Sequence, residues 1–240
     1  PSADAPNFVF IFTDDLGYGD LGCFGAEDIA TPNIDRLAQE GIKFTEFYSA
    51  SPVCSPSRAG LLTGRMAQRM GINGVFFPES FTGMPTDEIT IADLLQQQGY
   101  ATGIVGKWHL GHFKRFLPLQ RGFDEYYGIP YSNDMESVVY LDGNEVDSFQ
   151  VDQHYTTQVY TEKAVDFIDR HHEEPFYLYV AHSMPHVPIY ASPEFEGSSE
   201  RGLYGDVIQE IDWSVGEILR KLEAENVLDN TLIVFSSDNG

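Results

Sequence analysis

Asn7-Phe8-Val9-Phe10-Ile11-Phe12-Thr13-Asp14-Asp15 runs from a continuous apolar, β-prone segment straight into two carboxylates. An unbroken run of this kind, without alternation, reads as a strand buried on both faces of a parallel sheet. In open α/β sheets ligands gather at the carboxyl ends of the strands, and Asp14 and Asp15 stand at that end. Leu16-Gly17-Tyr18-Gly19-Asp20 follows as a glycine-rich loop. Adjacent carboxylates repel, so the pair invites a cation. In a chain this acidic, a plain acidic turn is the alternative.

Outward from that strand the chain alternates helix and strand. Thr31 to Gly41 reads as a capped helix with a glycine stop. Ile42 to Tyr48 is expected as a strand delivering the chain towards Cys54. Thr90 to Gly99 reads as a short helix with Ile91, Leu94 and Leu95 facing inward. Ala101 to Val105 is a strand ending in Gly106-Lys107-Trp108-His109-Leu110-Gly111. Val138 to Phe149 holds Asp142-Gly143-Asn144 between two β-prone runs, a hairpin expected to project from the main sheet. Tyr155 to Arg170 is an amphipathic helix with Val159, Ala164, Phe167 and Ile168 towards the core. Phe176 to Ala181 is a strand running into His182-Ser183-Met184-Pro185-His186-Val187-Pro188. Gly202 to Glu225 is a long helix with Val207, Ile211, Val215, Ile218 and Leu222 as its apolar stripe. Thr231 to Phe235 is a last buried strand, ending in Ser236-Ser237-Asp238-Asn239-Gly240. The alternation predicts an α/β fold: a doubly wound, mostly parallel sheet with helices on both faces.

The 240 residues, 42% hydrophobic, are enough to bury a full core. A formal net charge of −23 argues against nucleic acid, whose phosphates reward basic surfaces. An anionic ligand must therefore be caught by local cations. No segment is long and apolar enough to span a membrane, and no basic-then-apolar leader opens the chain. Pro1-Ser2-Ala3-Asp4-Ala5 fits the start of a mature secreted protein. The sequence holds no Asn-x-Ser/Thr sequon, which favours a bacterial source with a periplasmic or secreted location. Cys23 and Cys54 are the two cysteines and could form one disulfide in an oxidising compartment.

Cys54-Ser55-Pro56-Ser57-Arg58 continues into Ala59-Gly60-Leu61-Leu62-Thr63-Gly64-Arg65. Ser55 is a good N-cap and Pro56 suits the first helical position, which places Cys54 just ahead of a helix N-terminus. Unpaired N–H groups and the macrodipole favour anions there. Arg58, one turn in, can lie over the same spot with a planar guanidinium suited to a tetrahedral oxyanion. Read alone, Cys54 is either a low-pKa thiol nucleophile or a buried structural cysteine.

The whole twelve-residue stretch resembles the signature of the type I, formylglycine-dependent sulfatases of the alkaline phosphatase superfamily. The resemblance runs from Pro6 to Gly240 and lies towards the arylsulfatase A and N-acetylgalactosamine-6-sulfatase branch. It implies that Cys54 is converted to formylglycine (3-oxoalanine) by a formylglycine-generating maturation enzyme, which would rule out a Cys23–Cys54 bridge. It makes Lys107 a sulfate-binding residue, His109 a base and His186 the group that meets the ester oxygen, while His182 is left a structural part. Gly128-Ile129-Pro130-Tyr131-Ser132-Asn133-Asp134 resembles a segment in which the serine touches the sulfate, so Ser132 is a substrate-binding candidate beside the alternative of a turn serine. It makes Asp14, Asp15, Asp238 and Asn239 metal ligands, joined by residue 54. Three aspartates and one asparagine offer hard oxygens suited to Ca²⁺ in preference to Mg²⁺.

The reaction implied is sulfuric ester hydrolysis on a sulfated carbohydrate or an aryl sulfate. One hydroxyl of the hydrated aldehyde at residue 54 attacks sulfur with help from Asp238, and His186 helps protonate the leaving alcohol. His109 deprotonates the second hydroxyl, sulfate departs as the aldehyde re-forms, and Arg58 and Lys107 hold the sulfuryl charge. The resemblance also implies a further strand, a further active-site lysine and a small C-terminal domain outside these residues. Residues 1–240 are thus expected to be the N-terminal portion of a large catalytic domain. Three alternatives stay open: a phosphonate or phosphodiester hydrolase of the same superfamily, a non-catalytic glycan-binding relative, and a plain cysteine-dependent hydrolase.

Overall fold

The structure is a computed structural model and describes residues 5–135 and 138–240. Residues 1–4, which open the stretch read as a mature N-terminus, lie outside the described residues. Among the described residues seven strands form one sheet: β1 (Asn7–Asp14), β2 (Ala101–Gly106), β3 (Glu125–Gly128), β4 (Tyr140–Asp142), β5 (Glu145–Ser148), β6 (Phe176–Pro185) and β7 (Thr231–Ser237). Their order across the sheet is β5-β4-β3-β2-β6-β1-β7. The pairs β3–β2, β2–β6, β6–β1 and β1–β7 are parallel. The expected hairpin is β4–β5, and it extends the sheet by antiparallel pairing to β3 rather than projecting from it. Its edge carbonyls and N–H groups find a ladder there that solvent alone would not match.

Among the described residues five α-helices cover the two faces: α1 (Pro32–Glu40), α2 (Cys54–Thr63), α3 (Ile91–Gln97), α4 (Thr156–His171) and α5 (Leu203–Ala224). One core joins Ile34 of α1, Phe167 and Ile168 of α4, and Val215, Ile218 and Leu222 of α5 to Val9, Ile11, Leu178 and Val180 of the sheet. The opposite face packs Ala59 and Leu62 of α2 and Ala92 of α3 against Phe12, Ile104, Tyr177 and Tyr179. Period-two alternation thus sends neighbouring residues of β1 and β6 into two different cores. All ten residues of β6 are buried, as a central strand covered on both faces must be.

Three local expectations are corrected. Ile42 to Tyr48 forms no strand; Ile42, Phe44, Phe47 and Tyr48 stand 62–81% exposed with no ladder partner among the described residues. In α3 Ala92 is buried and Leu95 packs against the core as expected, whereas Ile91 and Leu94 point outward. The helix does carry a capping box between Thr90 and Asp93. Thr31 does not cap α1 with its side chain. Asp212 of α5 does so instead, accepting from the N–H groups of Asn33 and Ile34 at 3.0 and 2.8 Å.

Candidate active site

The carboxyl ends of β1, β2, β6 and β7 meet at one rim. Asp14, fully buried, is the last residue of β1. Asp15 then takes a left-handed backbone, φ +52°, which a non-glycine residue holds only where its surroundings fix it. Its N–H donates to Asp238 Oδ1 at 3.1 Å, and the N–H of Leu16 donates to Ser237 Oγ at 2.9 Å. These bonds tie the end of β1 to the end of β7.

Cys54 is the first residue of α2, so the helix starts two residues earlier than its sequence suggests, because extended Val53 (φ −139°, ψ 150°) serves as N-cap. Ser55 therefore does not cap; its Oγ accepts the N–H of Phe76 at 3.1 Å. The Cys54 thiol donates to Asp14 Oδ1 at 3.3 Å. Lys107 Nζ lies 3.6 Å from Cys54 Sγ, donates to Ser132 Oγ at 2.9 Å and pairs with Asp14. The aim of Lys107 comes from Gly106, whose φ of +115° and contact with the Ala181 carbonyl leave no room for a Cβ.

Arg58 is fully buried, with Nε and Nη2 at 3.0 and 2.9 Å from Asp238 Oδ2, Nη1 donating to the Lys107 carbonyl at 2.9 Å, and Nη2 3.3 Å from Asp14 Oδ2. The Phe12 ring underlies it. A planar fork that ties two carboxylates and a carbonyl together suits arginine and no other side chain.

Burial alone would push Asp14 up, but the charges of Lys107 and Arg58 hold it well below the usual carboxylate range. Asp238 is pushed up to about 6, by burial first and by the charge of Asp14, with Arg58 opposing. Asp15 is also raised, mainly by burial. Three carboxylates thus share the corner with two cations. That shortage of positive charge, felt at Asp238, fits a hard divalent cation among oxygen donors. Asp14, Cys54 and His186 each place a donor atom within 4.8 Å of the others, a group able to hold a metal ion. His186 joins this group in addition to its expected role. Asp15 and Asn239 border it through Asp238, Asn239 Nδ2 donating to Asp238 Oδ1 at 2.6 Å.

Burial pushes the Cys54 thiol up to about 12, with Lys107 opposing. A thiolate nucleophile is therefore disfavoured here. His109 also has a left-handed backbone, φ +58°. Its Nε2–H donates to the Phe76 carbonyl at 2.8 Å, leaving buried Nδ1 without a hydrogen-bond partner among the described residues. Burial, with the Lys107 charge, holds its pKa well below the ordinary histidine value, so the ring is neutral with a free lone pair. His186 Nδ1 donates to the Val187 carbonyl at 2.6 Å. Both cysteines are free.

Sequence reasoning missed Phe76, which clamps Ser55 and His109 from one residue, and Asn133, whose Nδ2 donates to the carbonyls of His186 and Pro188 at 3.2 and 3.0 Å. Phe76 acts through its backbone and leaves no trace in side-chain chemistry. Asn133 sits beside Ser132 in a stretch already singled out, so its amide was the available signal.

None of the helices is long and apolar enough to cross a membrane among the described residues. The human N-acetylgalactosamine-6-sulfatase is 44% identical over 262 residues, covering 98% of this chain and 50% of the relative. The chain thus spans about half the length of the curated relatives it matches. A Bacteroides thetaiotaomicron structure, described with the metabolism of multiple glycosaminoglycans, superposes with a TM-score of 0.94 at 34% identity over 99% of this chain and 63% of its own. A sulfatase from Pseudoalteromonas sp. gives 0.88 at 31% identity over 98% and 55%. The family model described as Sulfatase matches residues 6–240, and the chain belongs to the sulfatase family.

Proposed function

We propose that these residues form the N-terminal portion of the large catalytic domain of a sulfuric ester hydrolase, acting on a sulfated carbohydrate. The observation that supports it most is Cys54 at the first residue of α2, in contact with Asp14 and within 3.6 Å of Lys107 Nζ. A thiol pushed up to about 12 is a poor nucleophile as it stands; oxidation of Cys54 to formylglycine by a maturation enzyme, as the family resemblance implies, would supply one in its place.

Asp14, Asp15, Asp238 and Asn239 would hold a divalent cation, Ca²⁺ before Mg²⁺, together with residue 54. When present, the cation polarises a sulfate oxygen and the hydrated aldehyde offers a hydroxyl nucleophile. Asp238 accepts the proton of the attacking hydroxyl. Lys107, steadied by Ser132 Oγ, neutralises sulfuryl charge. Arg58 keeps Asp14 and Asp238 apart and aimed. His186 protonates the departing alcohol, and the free Nδ1 of neutral His109 takes the proton that lets sulfate leave. The sulfated-glycan reading draws on the relatives' names, and a periplasmic or secreted location goes with it. Rates of the whole protein on paired sulfate and phosphate esters test the function. A preference for sulfate supports it, and a preference for phosphate moves it to the phosphonate and phosphodiester hydrolases.

A further inference from the structure

Two loops that border the candidate site are fastened to each other. His109 Nε2 donates to the Phe76 carbonyl, the N–H of Met84 donates to the Leu110 carbonyl at 2.9 Å, and Arg115 Nη2 donates to the Phe81 carbonyl at 3.4 Å. Across this seam runs a row of rings. Phe81 stacks on Phe113 (centroids 6.1 Å, 21° between planes), Phe113 on His112 (4.4 Å, 30°), and His112 tilts against Tyr131 (5.1 Å, 50°). Tyr131, at the other end of the row, is the chain neighbour of Ser132, whose Oγ accepts from Lys107 Nζ. The row's far end is open: Phe81 is 79% exposed and Phe113 36%.

The charge along this row is opposite in sign to the net charge of the chain. Residues 94–123 hold Lys107, Lys114, Arg115 and Arg121 and no acid, in a chain with 37 acids and 14 basic residues. Lys114 and Arg115 are exposed and form no ion pair among the described residues. The Arg115 guanidinium lies over the rings of Phe113 and Phe116 at 5.5 and 4.6 Å, which holds it along the row. Glu79 is the one acid of the 73–83 loop and stands by Tyr131.

Resting on the sulfatase reading, we propose that this aromatic–basic ledge binds the sugar units next to the one that loses sulfate, in an oligosaccharide carrying a second anionic group. The faces of pyranose rings present C–H edges of positive character to the open negative face of Phe81. Lys114 and Arg115 take a second sulfate or a carboxylate, a site that a net negative chain must build locally. A monosaccharide sulfate or an aryl sulfate reaches Lys107 without touching the ledge.

The test uses the whole protein and two exposed-site variants, Phe81→Ala and Lys114→Glu. KM and kcat are measured on nitrophenyl sulfate and on the best-turned-over member of a panel of sulfated tetrasaccharides. Binding of that panel is measured in parallel by calorimetry at low salt. Each variant should raise KM and Kd for the tetrasaccharide about tenfold with kcat within about twofold, and leave nitrophenyl sulfate kinetics unchanged. Unchanged tetrasaccharide binding in both variants overturns the ledge, and so does an equal loss on nitrophenyl sulfate. If the protein hydrolyses neither ester, the sulfatase reading fails, while calorimetry still decides the ledge.

Discussion

Arg58 and Asp238, 180 positions apart, meet through two guanidinium nitrogens on one carboxylate oxygen, at 3.0 and 2.9 Å, with both side chains sealed from solvent. The same guanidinium reaches Asp14, so one arginine joins the ends of β1 and β7 behind Cys54. Arg58→Ala would leave the Asp238 carboxylate buried without its cation, while Asp14 keeps Lys107. Removing one member of a buried ion pair costs about 3–5 kcal/mol. Thermal unfolding should show that loss, and Arg58→Lys should recover only part of it because an ammonium lacks the fork. A loss below about 1 kcal/mol, the range of exposed pairs, would contradict the clamp.

Asp212 gives a stability prediction remote from the chemistry. Its carboxylate caps α1 from outside, taking the N–H groups of Asn33 and Ile34 and the Asn33 side-chain amide at 2.8 Å. Asp212→Ala should cost about 1–2 kcal/mol, the upper range for a lost cap, and leave hydrolytic activity intact in the folded fraction. Chemical denaturation checks the first part and kinetics the second.

Much of this architecture is legible in the chain, for a reason that also explains the failures. Buried parallel strands such as β1 and β6 and the stripe of α5 announce themselves because covering both faces, or one, forces continuous or periodic apolar residues. Ile42 to Tyr48 carries the same β-prone residues, yet a strand exists only where a neighbour completes its ladder, and no described element does so. The rim followed from strand ends alone, which drew attention to Asp14, Lys107 and Asp238. How Arg58 is used did not follow, because sequence gives its distance along a helix but not the two carboxylates that compete for it. The hold of Phe76 on His109 was invisible, since any residue can supply a carbonyl.

His182 supplies a pH dependence. Its ring is fully buried against Ser214 Oγ at 3.3 Å, and burial lowers its pKa from 6.5 to about 4. Between those values the unfolded chain binds the proton and the folded chain does not, so folding stability rises with pH across the window. The contribution is complete above about pH 6.5 and is lost as pH falls towards 4, a change of about 3 kcal/mol. His182→Gln should flatten the Tm profile over that range. An unaltered slope would show that other groups carry the acid loss.

The two histidines near the candidate nucleophile should separate by leaving group. Loss of the acid that protonates the alcohol matters most when the alkoxide is basic, as with a sugar. His186→Ala should therefore damage sugar sulfate turnover far more than nitrophenyl sulfate turnover. His109→Ala should depress both, because the proposed mechanism has it act after the alcohol has left. The same dependence on leaving group in both variants would overturn this division.

The mass of residue 54 tests the account most directly. Peptide mass spectrometry is performed on the whole protein, matured by its own host and assayed in the same preparation on a sulfate ester. The account predicts that the fraction carrying the aldehyde or its hydrate tracks the active fraction. A fully retained Cys54 thiol in a fully active preparation would contradict it.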